Sequence, residues 1–160
     1  MAIIFITGMS GVGKTSVLEH LALDDYHVVE TDAGYTDVIE TDEGTEIGLD
    51  EAKIQKLIDE HQDKNLFISG CYANQGKFYQ YFDQIVLLTA DLDVMFERID
   101  QRTTHNYGKN QAERDEILAN HAYVLPLLRK GSDLVIDTTT LSIQQVAEQL
   151  IVLVNKETGA

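Results

Sequence analysis

An α/β domain is what this chain predicts: a five-stranded parallel sheet with helices on both faces. Two observations carry that reading. Short apolar runs of four or five residues, rich in Ile, Val, Leu and Phe, alternate with amphipathic stretches along the chain. The runs are apolar on both sides, as strands are when covered on both faces of a parallel sheet. Alternation of this kind implies right-handed crossovers. In chain order the first run is Ile3–Thr7, followed by a helical stretch Thr15–Leu23. The second is Tyr26–Glu30, followed by Leu49–His61, where Ile54, Leu57, Ile58 and His61 recur at helical spacing. Leu66–Ser69 precedes Ala73–Tyr81, and Ile85–Thr89 precedes Asp91–Arg102, with Val94, Met95 and Ile99 on one face. The amphipathic stretch Gln111–Arg129, the run Leu134–Asp137 and the helix Ser142–Val154 complete the set. Asp91 and Ser142 each stand just after a run, where helix N-caps belong. Two polar stretches, Ala33–Gly48 and Thr103–Asn110, fit no regular element, and irregular segments that long are expected to be working loops.

At 160 residues the chain is the size of one domain. No apolar run reaches the ~18 residues that span a bilayer, the N-terminus has no basic start, and Cys71 is the single cysteine. A cytoplasmic location without membrane contact is expected. The 12 Lys and Arg against 27 Asp and Glu leave a net charge of −15, which repels nucleic-acid backbones. The charge is uneven: residues 1–63 hold 15 acids against Lys14, Lys53 and Lys56, and no Lys or Arg lies between Lys14 and Lys53.

The strongest motif is Gly8-Met9-Ser10-Gly11-Val12-Gly13-Lys14-Thr15, directly after the first predicted strand and opening the first helix. Glycines let successive backbone N–H groups turn inward around a polyphosphate, and the helix N-terminus adds its positive dipole end. Lys14 is expected on the β/γ-phosphates, Thr15 on Mg²⁺, and Gly8, Ser10, Gly11, Val12, Gly13 and Ser16 around the phosphates. A GTPase is disfavoured: Asn155-Lys156-Glu157-Thr158 lacks the Asp of the guanine motif, and no D-x-x-G occurs. Leu66–Ser69 ends without the carboxylate that a motor ATPase needs. His20, His27, His61, His105 and His121 show no metal-binding spacing, so the expected metal is Mg²⁺ arriving with the nucleotide.

Taken in order, these features resemble the small P-loop kinases: nucleoside-monophosphate kinases, shikimate kinase and gluconate kinase. The resemblance rests on the phosphate loop, an acid pair after the second strand, Ser69-Gly70 after the third, and Arg98-x-x-x-Arg102 before a polar stretch. It implies a sheet of order 2-3-1-4-5, an acceptor region over about residues 31–62 and a lid over about 102–112. Glu30-Thr31-Asp32 falls where shikimate kinase has D-x-D, which implies Mg²⁺ and acceptor-hydroxyl contacts, with Asp32 favoured over Glu30. It also implies that Arg98 and Arg102, with Lys109 and Arg114 nearby, close over ATP, and that Tyr107-Gly108-Lys109 supplies a hinge. Thr138–Leu141 takes the position of an adenine loop. Gly70, Asn74 and Gln75 are expected beside an uncharged polar acceptor. Cys71 is expected to be a small buried residue.

The acceptor clamps of these kinases are cationic, yet residues 15–52 hold no cation, and Tyr123–Leu128 lacks the arginine that shikimate kinase carries there. An anion among Glu30, Asp32, Asp37, Glu40, Asp42, Glu43 and Glu46 would be repelled. The expected activity is therefore ATP-dependent phosphorylation of a small neutral or cationic hydroxyl compound, such as a nucleoside or sugar. The alternative is a nucleotide-binding regulatory module without transfer. Base preference, oligomeric state and the identity of the acceptor stay open at this level.

Overall fold

A computed structural model describes residues 2–102 and 107–157. Its central sheet is parallel and holds β1 (Ile3–Thr7), β2 (Val28–Glu30), β5 (Leu66–Ser69), β6 (Gln84–Thr89) and β7 (Leu134–Asp137). The order across it is β2-β5-β1-β6-β7, which is 2-3-1-4-5 when the sheet strands alone are numbered. β1 is central and buried along its whole length. Successive side chains of a strand point to opposite faces. Ile4 and Ile6 accordingly join the core beneath α1 (Lys14–Leu23), α3 (Leu92–Gln101), α4 (Gln111–Tyr123) and α6 (Ile143–Glu157). Ile3 and Phe5 pack on the other face, against α2 (Glu51–Glu60) and a 3-10 helix (Gln75–Tyr81). All five strands end at the same edge of the sheet, where ligands bind in open α/β folds.

Four expectations change. Ala33–Gly48 is not an irregular loop: Thr36–Thr41 (β3) and Gly44–Leu49 (β4) form an antiparallel hairpin, with Val38 opposite Ile47. Most of it stands away from the core, and Val38 and Ile47 are each 64% exposed. The stretch Gln111–Arg129 is two helices, α4 and α5 (Leu125–Gly131), because Pro126 has no N–H to give and fits only the first turn of a new helix. Ala73–Tyr81 winds as a 3-10 helix rather than an α-helix. The edge strands β2 and β7 are covered only in part, unlike the buried β1 and β5.

Of the two predicted caps, Ser142 closes a reciprocal pair with Gln145: each side chain meets the other's backbone N–H, at 3.1 and 2.9 Å. Asp91 stands at the N-cap of α3, but its side chain makes no capping bond; its backbone N–H donates to Thr139 Oγ1 at 2.9 Å. Among the described residues, no helix is long and apolar enough to cross a membrane.

Candidate functional site

The turn between β1 and α1 is shaped by glycines with left-handed φ. Gly11, at φ 85°, is the tightest case: a Cβ there would lie 2.7 Å from the Met95 carbonyl oxygen on α3. Any other residue would push the loop off the helix that backs it. A cleft of about 900 Å³ opens over this turn, lined by Ser10, Gly11, Val12, Gly13, Lys14, Thr15 and Ser16. Glu30, Asp32, Arg98, Arg102 and Thr138 also reach it. Gly8 lies just beneath, where a Cβ would meet the Leu88 carbonyl oxygen at 2.5 Å.

Lys14 folds back over its own loop, its ammonium donating to the Gly8 carbonyl and, at 3.1 Å, to that of Met9. Loss of water around it holds the lysine below its ordinary range, and Arg102 pushes the same way; Cys71, Asp32 and Glu30 are near enough to oppose the shift. Lys14, Glu30 and Asp32 thus line one cleft.

Asp32 follows β2 in an exposed turn, and the Tyr72 hydroxyl donates a hydrogen bond to its Oδ1. Burial and this carboxylate both raise the phenol well above the ordinary tyrosine range. Cys71, next to Tyr72, is exposed rather than buried. Its neighbour Gly70 has no room for a side chain, since a Cβ would lie 2.6 Å from Thr31 Oγ1. The close approach it permits is therefore to the β2 end, not to an acceptor.

Asn74 and Gln75 are also spent inside the protein. The Asn74 amide accepts from Leu49 N–H at 2.9 Å and donates to Leu49 O at 3.0 Å and Glu51 Oε2 at 3.3 Å. Gln75 donates to Thr7 Oγ1 at 3.0 Å and Tyr79 Oη at 2.8 Å, and accepts from Tyr72 N–H at 3.0 Å. Neither side chain lines the cleft. The hairpin carries Asp37, Glu40, Asp42, Glu43 and Glu46 away from the cleft as well, so Glu30 and Asp32 are its acids at that end.

The basic cluster divides. Arg98 bridges two loops: its guanidinium donates to Gly11 O at 3.2 Å, Thr138 Oγ1 at 2.9 Å and Thr138 O at 2.7 Å. Thr138 Oγ1 donates in turn to Val12 O at 2.8 Å, tying the end of β7 to the phosphate loop. Arg102 donates to Tyr107 O at 2.5 Å, and among the described residues its buried Nε–H has no hydrogen-bond partner. Burial lowers its pKa, while Glu113 and Tyr107 oppose the shift. Arg114 lies outside the cleft, paired with Asp100 and stacked 4.9 Å over the Phe96 ring. Lys109 donates to Arg102 O at 2.7 Å. Gly108, expected in a hinge, is buried; a Cβ would meet Ile99 at 2.9 Å and Ile117 at 3.0 Å, so it anchors the segment. His105, expected in the lid, lies outside the described residues.

A family profile, AAA_18, described as an AAA domain, matches residues 4–119, from β1 through most of α4. The chain belongs to this family. Shikimate kinase from Acinetobacter baumannii in complex with shikimate superposes with a TM-score of 0.66 at 16% identity, over 98% of this chain and 94% of that one. A sugar kinase from a Janibacter species gives 0.60 at 17% identity, over 97% and 95%. Thymidylate kinase from Candida albicans gives 0.57 at 14%, over 98% and 92%. At such identities the likeness is one of fold, and the AAA_18 chain shares it across nearly its whole length. No curated protein sequence matches significantly.

Two roles were not foreseen from sequence. Tyr72 is the partner of Asp32, and Thr138 is the buried tie between β7 and the phosphate loop. Tyr72 gave a weak signal, a tyrosine three residues past the end of a strand at the ligand edge; Thr138 gave none beyond its place after β7.

Proposed function

We propose that this chain transfers the γ-phosphoryl group of ATP to a hydroxyl of a small neutral or cationic metabolite, such as a nucleoside or a sugar. The observation that carries the reading is the cleft mouth, where Lys14 of the phosphate loop faces Glu30 and Asp32, and residues 15–52 bring no cation toward them. A polyphosphate fits the inner half: the turn stays bare where Gly8 and Gly11 have no room for a side chain, and among the described residues the buried Arg102 Nε–H has no partner. The outer half would repel an acceptor bearing a phosphate or carboxylate.

Thr15 and Asp32 supply the oxygen atoms suited to Mg²⁺, which neutralises phosphate charge when it accompanies the nucleotide. Lys14 gives up the Gly8 and Met9 carbonyls for the β/γ-phosphates, and the phosphate charge favours its ammonium form. Asp32 orients the acceptor hydroxyl and takes its hydrogen bond. A bond forms between that oxygen and the γ-phosphorus, the bond to the bridging oxygen breaks, and the hydroxyl proton leaves by way of Asp32. Arg98 holds the loop that bounds the base, and Arg102 meets the phosphates. Kinases among the structures of like fold support this reading.

Transfer of label from γ-labelled ATP to panels of nucleosides, sugars and amino alcohols tests it, with shikimate and nucleoside monophosphates alongside. Selective labelling of shikimate or a monophosphate would overturn the acceptor class. The internal use of the Asn74 and Gln75 amides favours one second reading, a nucleotide-binding module with no acceptor. Tight ATP binding with no labelled product from any panel would select it.

A further inference from the structure

We propose that Tyr72 is a positioning residue that fixes Asp32 relative to the phosphate loop; this rests on the kinase reading above. Asp32 sits in an exposed turn, where an aspartate side chain ordinarily samples several rotamers. Among the described residues, the hydrogen bond from the Tyr72 hydroxyl is the one its carboxylate receives. That bond engages Oδ1 and leaves Oδ2 for an acceptor hydroxyl.

Tyr72 is itself fixed at both ends. Its ring packs beside the core that includes Phe5 and Ile68. Its backbone N–H donates to Gln75 Oε1 at 3.0 Å, and the Gln75 amide donates to Thr7 Oγ1 at 3.0 Å. Thr7 is the last residue of β1 and immediately precedes Gly8. The path Asp32–Tyr72–Gln75–Thr7 therefore refers the acid to the strand end that carries the phosphate loop. In-line transfer depends on the distance between acceptor oxygen and phosphorus, and an acid tied to the loop's own strand holds that distance. A phenol suits the task because it is a neutral donor. It donates to the carboxylate without a charge of its own, whereas a Lys or Arg there would neutralise Asp32 and add a further cation to the cleft mouth.

The test uses the full chain and Mg·ATP alone, with water as the acceptor, so the natural acceptor is not needed. Tyr72→Phe keeps the ring. It is expected to lower ATP turnover about tenfold while calorimetric Mg·ATP affinity stays within about twofold, the pattern of lost orientation rather than lost binding. Asp32→Asn should lose at least as much, and the double variant no more than Asp32→Asn alone, because both changes remove one unit. The ¹³C resonance of the Asp32 carboxyl, recorded at neutral pH without nucleotide, should move in Tyr72→Phe. An unmoved resonance, a wild-type rate in Tyr72→Phe, or multiplicative losses in the double variant would each overturn the proposal. A wild-type chain that binds no Mg·ATP would sink the kinase reading and this proposal with it. That failure is told apart by the resonance, which reports the Tyr72–Asp32 contact without any nucleotide.

Discussion

Replacing Asn74 by Ala separates a structural amide from a substrate contact. The side chain is buried and holds both backbone groups of Leu49, the N–H at 2.9 Å and the carbonyl at 3.0 Å, where β4 hands over to α2. Leu49 is buried too, so neither group can turn to bulk water. Leaving a buried donor or acceptor unsatisfied costs about 1–3 kcal/mol each. Taken at the lower part of that range, about 1–2 kcal/mol each, the two together come to about 2–4 kcal/mol. For a urea dependence of about 2 kcal/mol per molar, the unfolding midpoint should fall by about 1–2 M. Asn74→Asp should be no better. Its carboxylate can still accept from Leu49 N–H, but it cannot donate to Leu49 O and it would sit against Glu51, now 3.3 Å from the amide nitrogen. Urea unfolding followed by circular dichroism reads both variants. A loss below about 0.5 kcal/mol for Asn74→Ala would refute this assignment and return Asn74 to the acceptor side.

Three further outcomes are expected. Because burial lowers the Lys14 pKa, the fraction of neutral Lys14 in the free protein grows as pH rises toward that lowered value, and bound phosphate favours the charged form. ATP binding should therefore take up protons at alkaline pH, increasingly as pH rises; Lys14→Ala should lose both the uptake and most of the affinity. Calorimetry in two buffers of different ionisation enthalpy measures this, and equal heats in both would contradict it. Arg98→Ala removes the guanidinium that joins Gly11 to Thr138, so nucleotide affinity should fall about tenfold and stability by about 1–3 kcal/mol. Unchanged nucleotide affinity would take Arg98 out of the site. Arg114→Ala should keep nucleotide affinity within about twofold and cost at most about 1 kcal/mol, since its partners are Asp100 and the Phe96 face. A tenfold loss of affinity would place Arg114 over the nucleotide instead.

The sheet was legible because its signals are local and strong: two-sided apolar runs, helical spacing between them, and a glycine motif whose position between strand and helix admits one arrangement. The hairpin was not, because its strands are mostly solvated and apolar alternation is faint in Thr36–Leu49. The usable signal was the density of β-branched residues, Thr36, Val38, Ile39 and Thr41 before the turn and Thr45 and Ile47 after it. Side-chain allegiance was the harder problem. Asn74, Gln75 and Gly70 follow a strand at the ligand edge, and sequence position alone does not distinguish an amide facing a cleft from one satisfying a neighbouring backbone. Arg98 and Arg102 line the cleft, while the bond from Arg98 to Thr138 joins elements 40 residues apart and leaves no local signal.

The base of the hairpin is clasped where Asp50 N–H donates to Tyr35 O at 2.8 Å. Chain entering the arm and chain leaving it meet at that point, and the parallel sheet beneath draws nothing from the tip. Insertions or deletions around Asp42 and Glu43 should therefore be absorbed as changes of reach, with little effect on folding. The arm is in that sense an attachment whose length can change without disturbing the sheet that carries it.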